Sequence, residues 1–108
     1  MKVYISGPIT GLPDGNKKAF KEAADLITKL GNTPINPHDI CKDLPDGSRW
    51  AEYMKICLVE MLGADQVMML PGYTKSEGAM VESNLAYPMG IEVVYYWDVF
   101  TEDLRNEL

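Results

Sequence analysis

The chain has 108 residues, 46% of them hydrophobic and 24% charged, with nine glycines and seven prolines; this is the composition of one folded domain that buries roughly 60 to 70% of its unfolded surface, and it excludes a disordered chain. A net charge of −6 and a pI near 4.6 repel a phosphate backbone, which excludes polymeric DNA or RNA as a partner; a small anion held by amides at a helix N-terminus stays open. Two cysteines and one histidine make neither a disulfide framework nor a zinc set, and no metal or cofactor is expected. The opening "KVYISG" lacks a leader pattern, and no apolar run approaches the ~18 residues of a membrane span, so the expected setting is the reducing cytoplasm with no membrane partner.

In chain order, "KVYIS" (2–6) is short, β-branched and aromatic and ends in "GPITGLPDG", which predicts a first strand and a Gly/Pro loop. Residues 16–30 place Phe20, Ala23, Ala24, Ile27 and Leu30 on one stripe with Gly31 as the stop, which predicts a first helix. "NTPIN" is a weak second strand, and "PHDICKDLPDGS" after it reads as a connecting loop. Ser48 is the expected cap of a second long helix, "RWAEYMKICLVEML", in which Trp50, Tyr53, Met54, Cys57, Leu58, Met61 and Leu62 share a face. "DQVMMLPG" is a third strand whose continuous apolar run suits burial on both faces. A helix from about residue 75 to Met89, a strand "IEVVYY" and a short acidic helix "VFTEDLRNEL" complete the chain.

This alternation predicts right-handed crossovers and a small doubly wound α/β fold, flavodoxin- or Rossmann-like. It has four to five parallel strands in the order 2-1-3-4, helices on both faces, and one domain over residues 1–108. Ligands of such sheets sit beyond the carboxyl ends of the strands, where neighbouring strands send their chains to opposite faces. For this order the point lies between strands one and three. The loops leaving them, "SGPITG" and "PGYTKSEG", are the most glycine-rich segments of the chain, and they bring Ser6, Gly7, Pro8, Ser76 and Gly78 to one crevice.

The run Thr74, Lys75, Ser76, Glu77 fits a capping box, with either Thr74 or Ser76 as the cap. The amides of residues 76–79 and the positive helix end then suit a phosphate; a cap for stability alone is the plainer alternative. Glu82 has Gly78 one turn before it and Ala86 one turn after it, with Leu85 and Met89 near that face. Its carboxylate therefore projects from small residues that permit close approach, whereas Glu77 reads as a capping or solvated residue. Tyr4 can direct its hydroxyl to the crevice or pack as a buried strand tyrosine. His38, after strand two, can face the same edge or stand as an exposed loop residue, Trp50 reads as core or as a stacking platform, and Cys57 as core without an activating base.

The motifs "YISGPITG", "GADQVMMLPG" and Ser76-x-Gly78-x-x-x-Glu82 followed by "LAYPMGIEVV" resemble the nucleoside 2-deoxyribosyltransferase-like superfamily, in particular its small bacterial and phage branch. The resemblance spans nearly the whole chain. It implies that Glu82 attacks the anomeric carbon of a nucleotide or nucleoside, giving a glycosyl-enzyme intermediate resolved by water or another base, and that Tyr4 orients it. Ser76 then matches the phosphate-binding serine of 5′-monophosphate hydrolases rather than the aspartate of the transferases. Eight residues before Asp65, where the family places an aspartate for the leaving base's proton, this chain has Cys57, a poor substitute for a carboxylic acid.

Two further readings stand beside this one. "LPGYTKSEGAMVE" is similar to the Pro-Gly-Gly-x-Gly-Thr-x-x-Glu loop of phosphoribohydrolases, without the second glycine and the Gly-Thr pair. Alternatively, the loss of the acid at Cys57 leaves a non-catalytic nucleotide-binding module. The size of the chain and the aromatic run "VVYYWDVF" predict a homodimer or larger homo-oligomer.

Overall fold

Every residue of the chain, 1–108, is described by the computed structural model. Valine, tyrosine and isoleucine favour extended backbone in β1 (Lys2–Ser6). Helix and strand then alternate through α1 (Lys17–Lys29), β2 (Thr33–Ile35), α2 (Pro37–Ile40), α3 (Trp50–Leu62), β3 (Gln66–Met69), α4 (Glu77–Ala86), β4 (Glu92–Tyr95) and α5 (Tyr96–Asn106). The strands form one all-parallel sheet in the expected order β2-β1-β3-β4. Tyr4 lies opposite Ile35 and Val67, and Ser6 opposite Met69. No helix is long and apolar enough to cross a membrane.

Because side chains alternate across a strand, each strand feeds two separate cores. Val3 and Ile5 of β1 pack with Met68, Leu70 and the α1 residues Phe20, Ala23 and Ile27, joined by Tyr96 and Val99 of α5. Tyr4 packs on the other side with Val67, Met69, Cys57 and Met61 of α3, and Ala79 and Ala86 of α4. The chain therefore leaves β1 for one face and β3 for the other, and the two loops part above the junction of adjacent strands. A backbone bond from the Leu70 amide to the Ser6 carbonyl, 2.8 Å, closes that junction.

Five local expectations are corrected. The segment after β2 contains α2, because Asn36 caps it by accepting the His38 amide at 3.0 Å and Pro37 occupies the first turn. Ser48 does not cap α3; its hydroxyl donates to the Pro45 carbonyl at 2.6 Å inside the preceding turn, and Arg49 holds the cap position without a side-chain bond. On the α3 face only Cys57 and Met61 are buried, since the first half of the helix overhangs the end of the sheet as a wall. The helix carrying Glu82 spans Glu77–Ala86 and is preceded by a 3-10 turn, Tyr73–Lys75. The last helix begins at Tyr96 rather than Val99, because Tyr96 and Val99 turn onto the α1 core.

Candidate active site

Residues four and six of β1 share a face by strand periodicity, and that face looks toward α4. Glu82 comes down to meet them from the second turn of the helix, with the buried Ala79 and Ala86 on either side of it. The Tyr4 hydroxyl donates to Glu82 Oε2 at 2.5 Å, and the Ser6 hydroxyl donates to Oε1 at 2.7 Å. Both carboxylate oxygens are thus held by the central strand, and the glutamate is 5% exposed.

Burial raises the Glu82 carboxyl above the ordinary carboxylate range, and the bonds from Tyr4 and Ser6 pull it part of the way back. Burial, and then the neighbouring charge of Glu82, push the Tyr4 phenol far upward, so it stays protonated as a donor at any working pH. No buried side-chain polar atom of the chain lacks a partner.

Above this carboxylate lies an open cavity of about 890 Å³, within the size range of small-molecule sites. Glu82 and Tyr4 are at its floor. Gly7, Pro8 and Ile9 from the loop after β1, and Ser76 and Gly78 at the start of α4, form two sides. Trp50, Tyr53, Met54 and Cys57 of α3, with Cys41 after α2, form the third. The loop after β1 is pinned by Asn16, whose side-chain amide donates to the Pro8 carbonyl at 3.0 Å, and by His38 Nε2, 2.8 Å from the Gly15 carbonyl. It turns through three successive left-handed residues, Asp14, Gly15 and Asn16, a strained run that these contacts hold in place. Gly7 is required by close approach: a Cβ there would meet Leu70 Cβ at 2.7 Å.

The cavity brings together Tyr4, Gly7, Pro8, Cys57, Ser76, Gly78 and Glu82, with Cys57 both in the core and in the wall, and three adjustments follow. Ser6 is fully buried beneath Glu82 and its hydroxyl is committed to the carboxylate, so it supports the glutamate rather than facing a ligand. Ser76, not Thr74, caps α4 by accepting the Ala79 amide at 3.2 Å, and the Ser76 amide bonds to the Tyr73 carbonyl; of residues 76–79 only the amides of Glu77 and Gly78 stay free. The notch at Gly78 is filled by Met54, whose Sδ would lie 3.2 Å from an added Cβ.

Burial drives the Cys57 thiol up to about 12. His38, Cys41, Lys42 and Lys75 also line the cavity; of these the sequence points to the same edge only for His38. The one local signal was the Asn36-Pro37 helix start that delivers His38 and Cys41.

A family model described as "Domain of unknown function (DUF4406)" matches residues 1–95. No curated protein matches the chain in sequence. Among solved structures, the chain is similar to a 2-deoxyribosyltransferase from the psychrotolerant bacterium Bacillus psychrosaccharolyticus, described as a biocatalyst for synthesis of antiviral and antitumoral nucleosides. The TM-score is 0.72 at 19% identity, over 88% of this chain and 71% of that one. The likeness is one of fold, the parallel α/β architecture shared by the two chains, and it does not single out the small bacterial and phage branch.

Proposed function

The chain belongs to the DUF4406 family, a domain of unknown function, and from its site we propose an enzyme that cleaves the N-glycosidic bond of a (deoxy)nucleoside 5′-monophosphate. One observation carries the reading: a buried glutamate, gripped through both oxygens by Tyr4 and Ser6, forms the floor of a nucleotide-sized cavity. A carboxylate so placed costs stability and is useful where positive charge develops, as at the anomeric carbon of a departing sugar.

In the proposed reaction a Glu82 oxygen bonds to the anomeric carbon as the glycosidic bond breaks. The bond's electron pair leaves with the base, which takes up a proton. Water or a second base then attacks the glycosyl ester and frees the carboxylate. Tyr4 and Ser6 fix the direction of attack. The free amides of Glu77 and Gly78, the Ser76 hydroxyl and Lys75 are suited to the 5′-phosphate at the positive end of α4. The fold of the 2-deoxyribosyltransferase supports a sugar-transfer reading of this cavity. A homodimer or larger homo-oligomer belongs to the same proposal, with Tyr95 and Trp97 exposed at the β4 edge.

The Cys57 thiol favours a second reading, a nucleotide-binding module without turnover, because a group pushed to about 12 is a poor proton donor to a leaving base. Chromatography separates the two. The protein is incubated with a panel of deoxy- and ribonucleoside monophosphates and assayed for free base. Release that rises in Cys57→Asp is the expected outcome; binding without release in both proteins establishes the module.

A further inference from the structure

We propose that Cys41 and Cys57 are a dithiol pair in the cavity wall that closes to a disulfide when a small disulfide oxidant, of the oxidised-glutathione class, enters. The geometry is direct. Cys41 is the residue that ends α2 and Cys57 lies on α3, two helices packed against each other, and their sulfurs are 3.8 Å apart. A disulfide needs about 2.05 Å, so the sulfurs have less than 2 Å to travel. Both thiols are free and both line the cavity, which gives an oxidant a way in. No third histidine, cysteine or carboxylate joins them in a metal-binding group, so the chemistry open to the pair is that of two thiols.

The steps balance as ordinary exchange. Cys41, half-buried and reached from the cavity, attacks one sulfur of the oxidant; a mixed disulfide forms and one small thiol leaves with the proton. Cys57 then attacks the Cys41 sulfur and expels the second small thiol with its own proton. Two protein thiols are oxidised and one small disulfide is reduced to two thiols. Burial raises both cysteines, so little thiolate is present at neutral pH and the pair closes slowly. Closure is expected to quicken as pH rises.

Closure draws the Cys57 sulfur toward Cys41 within the cluster that also contains Tyr4, the residue that holds Glu82. It also fastens α2 to α3 across one wall of the cavity. The inference stands on the sulfur positions and does not depend on the reaction proposed above.

The test equilibrates the native full chain with oxidised glutathione, traps free thiols with an alkylating reagent, and maps peptides by mass spectrometry. A linked Cys41–Cys57 peptide in most molecules is expected, with Cys57→Ser halted as a glutathione adduct on Cys41. Two alkylated cysteines after equilibration overturn the proposal, and so does a wild-type chain halted at that adduct. Base release, measured on the same samples, falls on the order of tenfold to a hundredfold on closure, the scale of a misplaced catalytic group, and returns with a thiol reductant. A linked peptide in a chain that never releases base removes the glycosidase reading and leaves the dithiol, whereas unaltered release from fully linked protein removes its control of the site.

Discussion

The two faces of the sheet are built on different terms. The face covered by α1 and α5 is apolar throughout, with Val3, Ile5, Phe20, Ala23, Ile27, Met68 and Leu70 in one cluster. Its helices are also tied at the surface by Lys29, which bonds Asp103 at 2.7 Å and reaches Glu107. The face covered by α3 and α4 has an apolar cluster of its own, with Met61, Val67, Met69, Ala79 and Ala86, but it also contains both buried polar side chains, Ser6 and Glu82, and the Tyr4 hydroxyl that donates to Glu82. One face is made to hold the fold together. The other seats a carboxylate inside its apolar packing.

The sharpest way to break the comparison is to change each face separately. Glu82→Gln keeps the shape and removes the charge; under the proposed function base release falls by about three orders of magnitude or more, ~4 kcal/mol in barrier. Stability moves the other way. The folded-state carboxyl of Glu82 is raised, so its contribution is favourable below the ordinary carboxylate range and is lost as pH rises through the raised value. The variant is therefore expected to melt higher than wild type at neutral pH, with the gap closing in acid; thermal scans at several pH values read it. Ile27→Ala, in the opposite core, gives the reverse pattern. It costs about 2 to 5 kcal/mol in denaturant unfolding while activity per folded molecule is retained.

The same contrast explains what the sequence made legible. Strands with β-branched runs, the stripe of α1 and the Gly31 stop identify themselves by period and by stop signal, and the order of elements leaves few ways to wind the sheet. Glu82 was visible because small residues one turn away marked a close approach. The role of Ser6 was recoverable as well, since positions four and six must share a face, but that requires knowing which face α4 covers. Helix α2 was hidden by its length: four residues carry no periodicity, only a cap and a proline. Ser48 misled because a hydroxyl can serve either a helix amide or a turn carbonyl. The start of α5 is hidden because Tyr95, Tyr96 and Trp97 are all good strand formers, and only the packing of Tyr96 and Val99 on the α1 side turns the chain into helix at Tyr96. The meeting of Cys41 and Cys57 is tertiary and left no local trace.

A smaller change sharpens the account of the polar face. Tyr4→Phe removes one of the two donors to Glu82 and leaves the ring in the core. The lost bond was one that lowered the carboxyl, so the glutamate rises further. The acidic limb of the base-release profile is expected to move to higher pH, with a plateau reduced by about ten- to a hundredfold. A profile that keeps its limb while losing height would mean that Tyr4 acts on the sugar rather than through the carboxylate.

The smallest expected effect comes from Ser76, where fold and function share one hydroxyl. Ser76→Ala removes the bond from the Ala79 amide that caps α4 and costs about 1 kcal/mol. Ser76→Asp restores the cap, since an aspartate oxygen accepts the same amide and favours the positive helix end. Stability therefore returns to the wild-type level in Asp but not in Ala. Phosphate selectivity separates the two variants in the opposite sense: a carboxylate beside the free amides of Glu77 and Gly78 repels a 5′-phosphate, so the preference for monophosphate over nucleoside in kcat/KM drops about tenfold or more. Ala keeps most of that preference, because the two amides and Lys75 remain. Equal preference in Asp and wild type would move the phosphate away from α4, toward Lys17 or Lys42 on the opposite rim of the cavity.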